Sequence, residues 1–260
     1  ELGYEFKILA STRLTYPGLG FFVAEVPNAV NQLDLIKDPS ANVLADYNYL
    51  GPARVTKRLY RHGTSLERIY DSLGRVNSHL HNDSLGATFK GYAYGYDEGD
   101  NYLFEEQFHN AGVGDVYKYD SIYRLTKGWF NASSADIQNI KNAISNNLPI
   151  PDPVAYQGYT QYALDGLGNR TTVDRNGVIE TYLKNAFNEY TSVNGVLQGY
   201  NNNGNLEDDG TFLYKYDYEN RLTTVKNKTD SSLVVSYLYD ALDRRIAKVF
   251  PDSSRINYIY

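Results

Sequence analysis

Residues 212–225 read FLYKYDYENRLTTV, and their alternation specifies a hairpin. Phe212, Tyr214 and Tyr216 fall on one face of an extended strand and Lys215 and Asp217 on the other, the period of two expected of a half-buried strand. Tyr218, Glu219 and Asn220 make the turn. Arg221, Thr223 and Val225 then alternate with Leu222 and Thr224, so the chain returns as an antiparallel partner. Asp217 is placed to accept N–H groups of the turn and to lie near Arg221.

The same grammar recurs in both directions. YNYLGPARV begins at Tyr47, YDSLGRV at Tyr70, YAYGYDEGDN at Tyr92, YKYDSIYRLT at Tyr117 and YALDGLGNRTTV at Tyr162. YLKNAFNEYTSVNG follows at Tyr182, YNNNGNLEDDG at Tyr200 and YLYDALDRRIAKV at Tyr237. Anchored on Tyr49, Tyr70, Tyr96, Tyr119, Tyr162, Tyr182, Tyr200, Tyr216 and Tyr239, the units repeat at intervals mostly near 20 residues, with one interval of 43 that holds an insertion. Asp71, Gly74, Arg75, Asp97, Asp120, Arg124, Asp165, Gly168, Arg170, Gly204, Asp217, Arg221, Asp240 and Arg244 complete the signature. These residues are expected to be architectural. Asp–Arg pairs at such spacing are exposed ion pairs worth about 0–1 kcal/mol, and the glycines supply positive φ.

Composition bounds the function. Twenty-five basic against 31 acidic side chains give a net charge of −6, and no basic patch appears, which argues against a dedicated nucleic-acid binder. The longest apolar runs, such as GLGFFVAEV at 18–26, are too short to span a bilayer. With no cysteine there are no disulfides, thiol nucleophiles or Cys-ligated metals. With no methionine, Glu1 is not expected to be a translational start, and the chain is expected to be a piece of a longer polypeptide. Twenty-six tyrosines with abundant Gly, Asn, Asp and Thr suit short strands and tight turns.

The recurring Tyr-Asp, x-x-Gly-Arg or x-x-Gly-Asn, and Leu-Thr elements resemble the RHS/YD-repeat family. LDGLGNRTTV, NEYTSVNG, NGNLEDDG, YDYENRLTTV and YDALDRRIAKV are close to its commonest variants. The resemblance covers residues 47–260; in 1–46, TRLTYPG at 12–18 and LIKD at 35–38 read as degenerate units. It implies an all-β array of antiparallel hairpins coiled into an open or shell-forming sheet. Such shells enclose a toxic C-terminal segment in bacterial polymorphic toxins and insecticidal toxin complexes, and form the barrel of teneurin receptors. Three positions depart from the pattern: Tyr123 and Asp243 stand where Gly is usual, and Pro52 follows Gly51. The segments are therefore 1–46 (degenerate strands), 47–132 (repeats), 133–155 (insertion) and 156–260 (repeats).

In the insertion, Ser133 or Ser134 caps a helix, Asp136 suits its first turn, and Ile137, Ile140 and Ile144 follow helical spacing. Pro149, Pro151 and Pro153 end it. A short helix over about 134–146 packed on the sheet, as a lid or plug over local apolar surface rather than a partner-binding helix, is the expectation.

Few residues suggest chemistry. His79 and His81 share one strand face, as two metal-ligating imidazoles would, but no third ligand is near in sequence, so solvated histidines are expected. Asp97, Glu98, Asp100 and Asn101 lack EF-hand spacing and read as a surface turn. Glu105 and Glu106 point to opposite faces and make a poor glycosidase pair. Asp38-Pro39 is an isolated dipeptide and carries no self-cleavage role. Sequons at Asn82, Asn131, Asn169 and Asn227 are glycosylation acceptors only in a pathway that has the enzymes.

The expectation is a non-enzymatic fragment of a secreted or cell-surface RHS shell, with no cofactor, metal or catalytic residue. Its expected partners are the remainder of a longer RHS polypeptide or identical subunits, and an encapsulated toxin where the shell encloses one. The alternative is a surface adhesin or filament module binding carbohydrate or copies of itself. Unpaired strands at both ends, with Tyr260 in mid-repeat, argue that the stretch is not a closed monomeric globule.

Overall fold

The computed structural model describes residues 3–5, 12–15 and 22–259, the first two stretches by backbone alone. TRLT of the degenerate unit TRLTYPG forms the strand Thr12–Thr15; its YPG lies outside the described residues, as does Tyr260. The chain folds as two compact units, 1–159 and 160–260.

In the first unit, strands follow one another as an antiparallel meander, each hydrogen-bonded to its neighbour in sequence. Alternation divides their side chains between two faces. On one, Phe104, Val116, Trp129 and Ala132 are buried; on the other stand Tyr92, Tyr94, Glu105, Asp115 and Tyr117. The helix Ser134–Ser145 lies on the first face, with Ile137 and Ile140 fully buried against that cluster. Burying an Ile side chain stabilises by about 1.5–3 kcal/mol, so the helix sits on the sheet as a plug at the centre of the unit's core. Gly95 makes this possible, because a Cβ there would collide with the Phe104 ring.

The helix starts as its sequence dictates. Ser133 Oγ accepts the Asp136 N–H at 3.1 Å and donates to Asp136 Oδ2 at 2.8 Å. Asp136 also accepts the N–H groups of Val154 and Ala155, at 3.1 and 3.0 Å, tying the Pro-rich strap back to the helix start. Lys141 pairs with Glu106 on the sheet.

The second unit has the same hairpins and a thinner core. A seven-stranded antiparallel sheet runs from Gly199–Tyr200 to Arg255–Asn257, and its buried apolar residues are Val225, Val235 and Ala247. The hairpin of Phe212–Tyr216 and Leu222–Asn227 pairs Tyr214 with Val225 as its alternation requires, and a register shift after Lys215 then sets Tyr216 opposite Leu222.

Candidate functional site

The chain's recurring chemistry sits at the hairpin ends. In the turn at Asp217, Oδ1 accepts the N–H groups of Glu219 and Arg221, both at 3.0 Å, while Oδ2 accepts Arg221 Nε at 2.7 Å. Asp71, Asp120 and Asp240 repeat this arrangement with Arg75, Arg124 and Arg244. Asp97, Asn185 and Asn201 hold the same turn without an arginine. Burial raises the Asp71, Asp217 and Asp240 carboxyls, but the N–H groups and guanidinium opposite each more than offset it, leaving all three below the ordinary carboxylate range.

Arg170 does not take the place expected of it. Asn169 stands four residues after Asp165, where the other turns have arginine; its Nδ2 donates to the carboxylate at 3.0 Å and its N–H to Oδ1 at 2.9 Å. Lys184 supplies the positive charge at 2.9 Å. Hydrogen bonds from Asn169 and then Lys184 hold Asp165 far below the usual range. Arg170, one residue further on, stacks over Tyr182 at 4.8 Å. Tyr162 and Tyr182 also lie farther from their turns than Tyr70, Tyr96, Tyr119, Tyr216 and Tyr239, each of which directly precedes the turn's Asp. Turns at Asp38 and Asp83 close the opposite hairpin ends by the same side-chain-to-backbone bonds, and the Asn28 turn adds one more at the end that holds Asp71. DSLGA at Asp83 signals this as plainly as DSLGR at Asp71, but without a preceding tyrosine. LIKD supplies a strand end and the Asp38 turn.

Two devices fasten one hairpin to the next. Tyr49, Tyr70, Tyr96 and Tyr239 donate their hydroxyls to the carbonyls of Leu33, Val55, Val76 and Leu222, at 2.6–3.0 Å, each in the preceding hairpin. The residue closing one turn also reaches the positive-φ residue of the next. Arg75 Nη1 donates to Asp100 and Arg221 Nη1 to Asp243, both at 2.7 Å. Asn169 Nδ2 donates to Asn188 at 2.6 Å, and Asn205 Nδ2 to Asn220 at 2.7 Å. Asp243, at φ 62°, occupies the left-handed position where glycine is usual, and its carboxylate is what Arg221 binds. Tyr123, at φ 64°, fills the same position and lays its ring against Gly99. Arg75 and Arg221 therefore bridge turns instead of forming isolated exposed pairs: Arg75 lies 4.5 Å over Tyr96, and Arg221 lies 5.1 Å over Tyr239.

On the tyrosine face of the first unit two carboxylic side chains stand side by side. Glu105 stands opposite both Tyr94 and Asp115 in the sheet. Burial first, and the Asp115 charge second, raise the Glu105 carboxyl. Burial pushes Tyr94 and Tyr117 up to about 12. Beside the helix, a cavity of about 390 Å³ lies between Tyr117, Tyr119, Tyr123 and the strap Pro149–Asp152.

The remaining candidates separate. Glu105 and Glu106 do face opposite ways, Glu106 toward Lys141. Asp97 and Asp100 belong to an ordinary turn of the series. His79 and His81 are half-buried rather than solvated, with Nε2 atoms 3.1 Å apart. Burial lowers the His79 pKa, helped by His81 and Arg68. Asn82 is 6% exposed, and its carbonyl oxygen accepts the Thr88 hydroxyl, so it does not offer a surface glycosylation site. Asn131, Asn169 and Asn227 use their amides on Gln157, Asp165 and Ser232. Tyr216 and Tyr239 are half-buried, so truncating either costs less than the loss of a fully buried ring.

No protein-family model matches the chain. The tRNA nuclease WapA of Bacillus subtilis (strain 168) is 35% identical over 112 residues, 38% of this chain and 5% of that protein. The tRNA3(Ser)-specific nuclease WapA of Bacillus spizizenii is 36% identical over 104 residues, 38% of this chain and 4% of that protein. The chain thus spans a small part of the curated relatives it matches. Because they are named as nucleases, the expectation of a non-enzymatic protein is withdrawn. Among solved structures, TcdB2-TccC3 matches at a TM-score of 0.63 and 13% identity, over 96% of this chain and 14% of that one. TcdB2-TccC3-TEV matches at 0.61 and 14% identity, over 96% and 16%. The fold is RHS-like and all-β.

Proposed function

We propose that this chain is a stretch of the hairpin shell of an RHS-type toxin whose activity is that of a tRNA nuclease, exported from the cell that makes it. The similarity to tRNA nucleases over 112 residues carries the reading, and the shared fold over 96% of the chain supports the shell. In this reading the turn bridges serve the enzyme mechanically, closing successive hairpins so that the wall holds without a disulfide. The net charge of −6 suits a wall that does not itself grip tRNA. An adhesin role has no observation in its favour.

The test uses the complete polypeptide encoded at the native locus, incubated with total tRNA before and after mild proteolysis. Cleavage of a subset of tRNAs, stronger once the wall is opened, is expected. Intact tRNA in both conditions overturns the nuclease reading, and equal cleavage in both overturns the shell.

A further inference from the structure

His79 and His81 stand at i and i+2 on the strand Val76–Asn82, so both rings rise from the same face. Their ring centroids are 4.8 Å apart and their Nε2 atoms 3.1 Å apart, so the rings lean together at their tips. Because both side chains come from one face, the two Nε2 atoms meet above the same side of the sheet. An imidazole nitrogen bonds zinc at about 2.0–2.1 Å. Two such bonds to nitrogens 3.1 Å apart enclose an angle of about 98°, between the square-planar and tetrahedral values.

We propose that His79 and His81 form a two-imidazole chelate for a first-row transition-metal dication, with Cu²⁺ bound more tightly than Zn²⁺. Among the described residues no cluster of three or more His, Asp or Glu forms a metal-binding group, so the remaining positions fall to water or to an incoming donor. The neighbours select the metal. Arg68 and Tyr92 stand opposite His79, and Leu66 and Lys90 opposite His81. None of these four neighbours is a carboxylate, so a hard oxygen-seeking ion such as Ca²⁺ or Mg²⁺ gains no ligand from them, whereas a metal that bonds imidazole strongly is held by the two rings. In the metal-free protein one Nε2–H donates to the other Nε2. Coordination requires both neutral rings to carry their proton on Nδ1, which leaves both Nε2 lone pairs for the metal.

Titration of the 260-residue chain with CuCl₂ and with ZnCl₂ at pH 7.5, followed calorimetrically, tests this. One site is expected, tighter for copper, and His79→Gln or His81→Gln alone should weaken it at least tenfold, while His62→Gln leaves it unchanged. Electron paramagnetic resonance of the copper-loaded wild-type chain keeps the test independent of how the variants fold, and should show coupling to two imidazole nitrogens. Equal affinity in the folded double variant, or a spectrum with fewer than two imidazole nitrogens, overturns the assignment.

Discussion

At the scale of single residues, the tyrosine hydroxyls contribute separably from their rings. Tyr96 donates to the Val76 carbonyl at 2.7 Å, and losing one such bond costs about 1 kcal/mol. Tyr96→Phe should therefore lower the thermal midpoint of its unit by roughly 2–4 °C. Tyr218→Phe, at a residue 87% exposed, should leave the midpoint unchanged in the same calorimetric comparison. Glu105 works in the opposite sense. Its carboxyl is raised by burial and by Asp115, so folding favours its protonated form. Below the ordinary Glu pKa the group is neutral in both states and costs nothing; as pH rises through the raised folded value, ionisation takes stability away. Glu105→Gln is expected to raise the unfolding midpoint at pH 7 and to leave it nearly unchanged at pH 4. Asp243 and Asp100 show why glycine is dispensable at the left-handed position: the strain of positive φ accompanies a carboxylate placed for the preceding hairpin's arginine.

At the scale of elements, the helix Ser134–Ser145 differs from the hairpins in that its buried face packs on strands rather than on a partner next to it in sequence. Ile137, Ile140 and Ile144 signal its period, and Ser133 with Asp136 signals its start. That Ile140 would be fully buried against Phe104, Val116 and Trp129 is not written in the insertion, since those partners come from strands up to 36 residues earlier. Ile140→Ala should cost about 2–5 kcal/mol, read as a lower urea midpoint for the first unit with the transition of the second unit unchanged. The strap depends on Asp136 in the same way. Its bonds to Val154 and Ala155 cross the proline run, so Asp136→Ala should expose that run to proteases before the sheet unfolds.

At the scale of the molecule, the turn carboxylates make stability depend on acid in one direction. Asp71, Asp120, Asp165, Asp217 and Asp240 are all held below their ordinary range, so the stability they confer is complete above a pH of about 4 and lost as pH falls toward their folded values. Unfolding midpoints of both units should drop between pH 6 and pH 2.5; a flat profile would show that the turns hold without their charges, as Asn185 and Asn201 do. The sequence by itself determined the hairpins, their alternating faces, the turn aspartates and the helix, because each follows from residues within about twenty positions and from backbone geometry that tolerates few alternatives. It passed over the Asp83 turn, because a rule keyed to Tyr-Asp does not register a turn that no tyrosine precedes. Only tertiary structure decided that Arg75 and Arg221 bridge to the next turn, that Asn82 is buried, and that His79 and His81 converge. Those outcomes depend on how adjacent strands register and how far side chains reach between them, distances that no spacing within one repeat encodes.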